Sequence, residues 1–507
     1  MADPVTGKKD STKNGDLAMT EMSQEKLTED DGEKSLGAQW CFWRRRRYVL
    51  AVLAFLGFIN LYTLRINLSV AIVAMTTPHH TRLENGTVVE TAADFDWDSR
   101  IQGLLLSSFF YGYTASQLPG GWVALRVGGT KLFGMGIAGT ALLTLLTPPL
   151  ANISVYILIA IRIVEGLLEG LVMPSINHVW SRWAPPLERS RLATFAVSGC
   201  NVGTVLVLPI SGLLASTVGW PSIFYVFGAI GLLWYIAWWI VIADSPELDP
   251  HISTCELNYI ESSLGRQNCT EKVSHHPWRQ IFTSVPYLAK VAAHFASNWG
   301  FYTLVTQLPL FMKDTLSFNI KEAGFVSAVP YLLMAILLQT AGHLADFLES
   351  RRIFSTTNVR KIFMCGAFIL QATALLLSTY LTNITAVLVC VIAGVALAAF
   401  AYATLCVNSL DLAPAHASVL AGISSTVANL SGIISPQLTG FIVRNKSAEE
   451  WRIVFYITSA LYLCGAVVFG LFASGDKQPW AEDGVVRSDI KVDSVPAKEN
   501  DNRDQQV

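Results

Sequence analysis

The sequence is poor in charged residues, which make up 15% of its 507 positions. A soluble globular protein carries about a quarter, so this composition excludes one large water-soluble domain. Apolar residues reach 52%, and the mean hydropathy is +0.43, as in chains that cross a membrane many times. The net charge of −2 offers no basic surface to a nucleic acid, so no nucleic-acid partner is expected.

The sequence also lacks the short motifs of common enzymes. It has no glycine-rich phosphate loop ending in Lys and Ser or Thr, no HExxH and no paired CxxC. We therefore expect no enzyme activity, no cofactor and no metal site, and transport that runs on ion gradients rather than ATP. The eight cysteines fall in apolar runs or in loops that we predict to be cytosolic, so no disulfide framework is expected. We expect no cleavable signal peptide, because the first forty residues are polar and the first apolar run is too long for one.

Long apolar runs fill most of the chain, and twelve of them are long enough to cross a bilayer as helices. These predicted spans are 48–76, 101–122, 131–149, 153–177, 194–216, 222–243, 285–312, 324–345, 361–381, 385–410, 417–442 and 453–474. The pattern predicts an all-α membrane protein with two six-helix bundles. The predicted segments are a cytosolic disordered tail at 1–47, bundles at 48–243 and 285–474, a cytosolic central loop at 244–284, and a second cytosolic disordered tail at 475–507.

Basic residues set the predicted orientation. Four arginines, Arg44–Arg47, directly precede the first span, so the N-terminus should be cytosolic. The even number of spans returns the C-terminus to the same side. On the opposite, luminal or extracellular side, the longest loop carries the sequon at Asn85, which we predict to be glycosylated.

The fourth span contains charges that a membrane helix rarely keeps. Arg162, Glu165 and Glu169 are three, four and seven residues apart, a spacing that places them on one face of a helix. Such charges face a protein interior or a wet cavity. One carboxylate can neutralise Arg162, and the other becomes a proton carrier unless it has a partner of its own. We predict that this face couples proton movement to transport, or that it is a paired network that only positions helices.

Arg65 lies deep in the first span, more than two turns from either end. Arginine stays charged, so a buried guanidinium needs an anion. One alternative is a structural ion pair with Glu165 or Glu169. The other is that Arg65 binds the carboxylate or phosphate of a substrate. Both hold if the substrate competes with the internal partner. Further candidate contacts to substrate are Tyr62, Tyr111, Asn298 and Tyr302.

A loop pattern repeats in the two halves. Gly121–Gly129 follows the second span and Gly342–Arg352 follows the eighth, 221 residues apart. The pattern resembles the loop motif of the major facilitator superfamily. The resemblance implies twelve helices in two bundles that rock about a central substrate site. We assign Arg126, Asp346, Arg351 and Arg352 to this structural and gating motif, and we add Asp411 at the end of the tenth span.

Longer segments are more specific. Tyr62–Ala71, Ser108–Tyr113, Gln117–Gly121, Trp183–Ser190 and Asn408–Pro414 resemble the anion–cation symporter family of that superfamily, from about residue 47 to about residue 480. The family includes carriers of sialic acid, glutamate, nucleotides and phosphate. The resemblance implies that Arg65 holds a substrate carboxylate and that Glu165 and Glu169 take part in proton coupling.

Within the family the chain is most similar to the sialin branch, which moves sialic acid with protons. Ser297 stands where vesicular glutamate transporters carry a helix 7 arginine, and Leu106 or Ser107 stands where they carry a histidine. In contrast, 355–361 and 473–480 are similar to the glutamate branch. We therefore expect proton-coupled export of sialic acid and other acidic sugars from lysosomes. The alternatives are voltage-driven vesicular transport of glutamate or aspartate, and sodium-dependent phosphate cotransport.

The expected partners are a small organic anion, protons (or sodium in the alternative) and membrane lipid, and we expect a monomer. A lysosome or another acidic vesicle is the expected location, with the plasma membrane and synaptic vesicles as alternatives, since the N-terminal tail has no acidic dileucine signal. An anion channel or a non-transporting nutrient sensor on the same scaffold is a different class. Channel currents would exceed carrier turnover, and a sensor would bind its ligand without flux.

The orientation yields a first prediction. Asn85→Gln should remove the shift in apparent mass that a glycosidase produces in the cell-expressed protein. Asn268→Gln, which changes a sequon on the predicted cytosolic side, is the control and should leave that shift intact. A glycosidase shift that survives in Asn85→Gln would contradict the assignment.

Overall fold

The computed structural model describes residues 45–82, 88–267, 272–273, 275–482 and 485–486. Helices dominate these residues. In the first half the helices are α1 (Arg46–Met75), α2 (Ser99–Val127), α3 (Gly129–Ala151), α4 (Val155–Gly170), α5 (Val172–Trp183), α6 (Pro186–Thr217) and α7 (Pro221–Val241). The central segment forms α8 (Thr254–Gln267) and α9 (Trp278–Thr283). The second half has α10 (Val285–Leu316), α11 (Ile320–Ser350), α12 (Thr356–Tyr380), α13 (Ile384–Ala396), α14 (Ala398–Leu412), α15 (Ala417–Ile442) and α16 (Ala448–Phe472).

Two short antiparallel strand pairs and three short 3₁₀ turns complete the described residues. β1 (His79–Arg82) pairs with β2 (Val88–Thr91) between α1 and α2. β3 (Lys272–Val273) pairs with β4 (Val485–Val486). Asn85 lies outside the described residues.

Every predicted span coincides with a helix or with a pair of helices joined end to end, so the all-α membrane fold is confirmed. Within the described ranges, nine helical segments are long and apolar enough to cross a membrane. The other three predicted spans correspond to α2, to α4 with α5, and to α10. Polar side chains lower the mean hydropathy of α2 and α10, whereas α4 and α5 are each too short, with 16 and 12 residues.

The fourth span is divided into α4 and α5 at Leu171. Pro174 explains the break, because a proline has no N–H to donate to the carbonyl four residues earlier, here that of Gly170. The charged residues lie on α4, and α5 continues to the buried Trp180 and Trp183.

Close packing of α2 against α4 depends on glycines. A Cβ at Gly166 would lie 1.9 Å from the carbonyl oxygen of Phe109, and one at Gly170 would lie 2.1 Å from Oγ of Ser116. On the facing helix, a Cβ at Gly112 would lie 1.9 Å from the carbonyl oxygen of Ile163. The spacing of Gly166 and Gly170 predicts this approach, and it positions the charged face of α4 next to α1 and α2.

The two bundles contact each other mainly through α2 with α15, α6 with α11 and α1 with α10. The tightest contacts lie at the predicted luminal end. A Cβ at Gly103 would lie 2.5 Å from the carbonyl oxygen of Pro436, and one at Gly212 would lie 3.0 Å from that of Ile320. Lys313 of α10 also donates a hydrogen bond to Thr77, which follows α1.

At the predicted cytosolic end, the described ion pairs stay within a single half of the chain. Arg47 binds Glu188 in the first half. In the second half, Arg360 binds Glu349 at 2.5 Å and Asp411 at 2.8 Å. The molecule is therefore closed at the predicted luminal end, whereas the described ion pairs do not join the two halves at the predicted cytosolic end.

The central loop and its borders need a correction. The segment 244–284 was expected to be a polar loop, yet it forms α8 and α9. Arg46 and Arg47, which we assigned to a disordered tail, begin α1, and Arg47 is buried. Arg46 binds Asp249 at 2.6 Å, and Arg47 binds Glu256 at 3.2 Å. These ion pairs hold the central segment against the first bundle, and hydropathy does not detect them because every partner is polar.

The C-terminal border also differs from the expectation of a tail that is disordered from residue 475. Residues Pro479–Glu482 form a 3₁₀ turn, and Trp480 is buried. The backbone N–H of Gln478 donates to the carbonyl of Leu412 at 2.9 Å, at the end of α14. One large aromatic side chain and a satisfied helix-end carbonyl are enough to order this short polar segment.

Replacing Gly166 tests the contact between α2 and α4. Gly166→Val should destabilise the protein by about 3 kcal/mol, the upper end of overpacking costs, since the new side chain meets backbone rather than a flexible side chain. The measurement is thermal unfolding in detergent. The matched control is Gly366→Val in α12, where a Cβ meets nothing within 4 Å. Equal unfolding temperatures for the two variants would contradict the close contact.

Candidate substrate site

A cavity lies between the two bundles at the level of Arg65. Aromatic and aliphatic side chains of α1, α2 and α10 form most of its wall. The open space among them totals about 420 Å³, including space that is continuous with solvent. Its polar lining side chains are Tyr62, Arg65, Ser69, Arg162, Tyr302 and Thr306.

Arg65 is paired with Glu169. Its Nε donates to Oε2 of the carboxylate at 3.0 Å, and its Nη2 lies 3.0 Å from the same oxygen. Both side chains are buried, Glu169 completely. Oε1 of Glu169 has no hydrogen-bond partner among the described residues. Arg65 therefore pairs with Glu169 rather than Glu165, and both of its contacts are to one oxygen of that carboxylate.

Aromatic rings surround the guanidinium of Arg65. Its central carbon lies 4.9 Å from the ring centre of Tyr62, 4.8 Å from that of Phe109 and 4.5 Å from that of Tyr113. Ring faces attract a cation and displace water around it. They hold the planar guanidinium in place beside the cavity without adding another charge.

Arg162 forms the second ion pair, with Glu165. Its Nη1 donates to Oε2 of Glu165 at 2.7 Å, and its Nη2 donates to the carbonyl of Arg65 at 3.0 Å. The hydroxyl of Thr144 donates to Oε1 of Glu165 at 3.1 Å. Two cations and two carboxylates therefore balance in a buried group, with α4 tied to the backbone of α1.

The structure brings some of the predicted contacts to the cavity and leaves others outside it. Tyr62 and Tyr302 line the wall. Tyr111 does not, because its side chain points away, is 39% exposed and accepts a hydrogen bond from Gln437. Asn298 is buried in the second bundle, where its Oδ1 accepts from the hydroxyl of Tyr402 at 3.0 Å.

Two polar lining residues escaped the sequence analysis. Ser69 lies four residues after Arg65, and Thr306 lies four residues after Tyr302. That spacing repeats the same helix face, so extending each predicted position by one turn would have found them.

The predicted gating residues lie at the predicted cytosolic ends of the helices. Arg126 lies 3.7 Å from the ring centre of Trp122, and Arg351 lies 5.5 Å from that of Phe347. Asp411 binds Arg360. Arg352 is exposed with a φ of 54°, and the side chain of Asp346 lies outside the described part of the chain.

Comparison with known proteins identifies the family. The model of the Major Facilitator Superfamily matches residues 50–436. The chain belongs to the major facilitator superfamily. It is thus an integral, multi-pass membrane protein of a transporter family.

Close relatives within this superfamily are vesicular transporters. The vesicular glutamate transporter 1 of Bos taurus is 42% identical over 87% of this chain and 79% of its own length. The vesicular glutamate transporter 2 of Homo sapiens is 41% identical over 87% of this chain and 76% of its own length.

Solved structures share the superfamily fold at low identity. A bacterial homolog of the human lysosomal transporter Spinster, in an inward-facing and unoccupied conformation, superposes with a TM-score of 0.66. It is 16% identical and is covered over 96% of its length by 84% of this chain. A D-xylose–proton symporter superposes with a TM-score of 0.62 at 15% identity, and the match covers 84% of this chain and 99% of that one.

The buried pairs make a stability prediction. Glu165→Leu should destabilise the fold by about 3–5 kcal/mol, because it leaves Arg162 as an uncompensated buried charge. Adding Arg162→Leu should recover most of that loss, since no charge then remains unpaired. Chemical unfolding in detergent of the two single variants, the double variant and the original chain measures the coupling. Additive losses would show that the two side chains do not form the pair.

Proposed function

We propose that this protein is a proton-coupled secondary transporter of small organic anions that works by alternating access. The observation that supports this most is the ion pair between Arg65, which lines the central cavity, and the fully buried Glu169. The guanidinium of Arg65 is always charged and favours a carboxylate as its ligand. Glu169, once displaced from Arg65, supplies a site for a proton.

The proposed cycle exchanges one anion for another at Arg65. A substrate carboxylate approaches the guanidinium from the cavity and displaces Glu169. A buried carboxylate without its cation is costly, so Glu169 takes up a proton as it leaves. Substrate and proton thereby bind together, and low luminal pH favours loading from the lumen. On the cytosolic side the proton dissociates, Glu169 returns to Arg65 and the substrate leaves.

Hydroxyl groups of the cavity favour a particular kind of anion. Ser69 and Thr306 donate their hydrogens to the backbone carbonyls of Ile66 and Tyr302, so their oxygens remain as acceptors. A ligand with several O–H donors suits such acceptors. Among the lining residues none from α10 is charged. One carboxylate on a hydroxyl-rich body matches this wall, so we propose sialic acid and related acidic sugars as substrates, exported from lysosomes.

The second candidate is voltage-driven transport of glutamate or aspartate into vesicles. It is favoured by the 42% identity to a vesicular glutamate transporter. A second carboxylate would need another cation, and the other arginine of the lining, Arg162, is already bound to Glu165. Sodium-dependent phosphate cotransport is a third outcome that the same experiment detects.

The test is uptake of labelled sialic acid, glutamate and phosphate into proteoliposomes, with the pH gradient, voltage and sodium varied separately. Sialic acid flux driven by the pH gradient alone is the expected result. Glutamate flux driven by voltage, or phosphate flux that requires sodium, would replace the proposed substrate and coupling.

Glu169→Gln should abolish uptake driven by the pH gradient, because the glutamine cannot carry the proton. The matched control is Glu261→Gln, an exposed carboxylate on α8, which should transport like the original chain. Uptake by Glu169→Gln that still follows the pH gradient would reject Glu169 as the coupling residue.

Arg65→Lys should weaken substrate binding by about tenfold or more, since an ammonium loses the bidentate geometry of the guanidinium. The half-saturation concentration for transport and equilibrium binding both measure this. Arg191→Lys, an exposed arginine on α6, is the control. Unchanged affinity in Arg65→Lys would remove this residue from the substrate site.

A further inference from the structure

Three polar side chains, two of them buried and the third (Gln117) half-buried, form a chain of hydrogen bonds from the cavity wall to the other bundle. The hydroxyl of Tyr302 donates to Oδ1 of Asn429 at 2.9 Å. Nδ2 of Asn429 donates to Oε1 of Gln117 at 2.8 Å. Tyr302 and Asn429 belong to the second bundle, on α10 and α15, and Gln117 belongs to α2 of the first. We call these three residues the relay.

The relay stands at the inner limit of the contact between α2 and α15. From the predicted luminal end, successive contacts join Gly103 to Gly440, then Ser107 to Gln437 at 3.0 Å, and then Gln117 to Asn429. Gln117 is about 27 Å along α2 from its first residue at a rise of about 1.5 Å per residue.

Proline interrupts α2 two residues beyond the relay, at Pro119. A proline inside a helix removes one backbone hydrogen bond and allows bending there. The relay is therefore the innermost of these contacts, and it lies next to the point where α2 can bend.

The hydroxyl of Tyr302 has a single hydrogen to donate. In this structure Asn429 accepts it, and both side chains are buried. A ligand oxygen in the cavity that takes this hydrogen leaves Oδ1 of Asn429 buried without a donor, which carries a desolvation cost. Asn429 can satisfy that oxygen only by turning, and turning gives up its bond to Gln117.

We propose that Asn429 and Gln117 are coupling residues through which occupancy of the cavity at Tyr302 weakens the contact between α2 and α15. Through this coupling, a bound anion disfavours the state that is closed toward the lumen. Coupling is reciprocal, so luminal closure with an intact relay lowers the affinity for the anion and promotes its release to the cytosol. This direction rests on the function proposed above, whereas the coupling within the relay does not.

The relay also gives a role to Asn429, for which the proposed transport cycle has none. Asn429 begins an Asn-x-Ser sequon inside a predicted span. Its side chain is buried, and its oxygen and its nitrogen each take part in the relay. The position requires a side chain that accepts at one atom and donates at the next, which is the chemistry of an amide.

The test measures the distance between spin labels at Val218→Cys and Tyr380→Cys, in a chain whose eight native cysteines are replaced by serine. These exposed positions end α6 and α12 at the luminal side of opposite bundles. Without ligand, Gln117→Leu should raise the ratio of luminally open to closed molecules about fivefold, as the loss of one neutral hydrogen bond predicts.

A double-mutant cycle isolates the relay. Tyr302→Phe should raise the same ratio, and combining it with Gln117→Leu should add nothing, because either change alone breaks the chain. The matched control is Gln437→Leu, which removes two other bonds between α2 and α15, to Ser107 and Tyr111, neither of which involves the relay. Its effect should add fully to that of Tyr302→Phe. Additive effects for Tyr302→Phe and Gln117→Leu would overturn the proposal.

Ligand provides the second readout. Sialic acid or glutamate should shift the distance distribution of the original chain and of Gln437→Leu, but not that of Gln117→Leu. If neither anion shifts the original chain, the proposed substrates fail while the ligand-free cycle still decides the relay. Should Gln117→Leu unfold, the shorter Gln117→Asn also breaks the bond and takes its place, with thermal unfolding as the check on folding.

Discussion

The burial of four charges in one neutral group is the constraint on which the rest of this molecule depends. Arg65 and Arg162 can remain among apolar helices only while Glu169 and Glu165 remain beside them. That requirement links α4 to α1 through the side chains of Arg65 and Arg162, while Gly166 and Gly170 let α4 pack closely on α2. The cavity then forms beside the one arginine whose partner uses a single oxygen.

Much of the fold could be predicted because hydropathy and helical periodicity are local properties. Twelve apolar runs correspond to the long helices, and the spacing of Arg162, Glu165 and Glu169 places them on one face of α4. Helix ends were less predictable. The span assigned to 194–216 belongs to a helix that starts at Pro186, since a helix continues into water where hydropathy no longer marks it.

The pairing of the charges could not be predicted, because it depends on how two distant helices face each other. Arg65 had two available carboxylates, and only the packing across 104 residues of sequence selects Glu169. The same limit explains Tyr111, an aromatic residue one position beyond the cavity-lining Phe110 that turns to Gln437 instead. The order of residues 475–482 depends on a groove that other elements build around Trp480, so composition alone assigned them to a tail.

The glycine contacts at the luminal end have a consequence for how this protein tolerates change. Where Gly103 meets Gly440 and Gly212 meets Gly324, backbone lies against backbone, so no side chain is available to be trimmed and any replacement adds atoms. A larger side chain at any of these four positions destabilises the conformation that is closed at the predicted luminal end. It does not destabilise the conformation that is open there. A replacement there therefore shifts the balance between the two conformations toward the one that is open at the predicted luminal end.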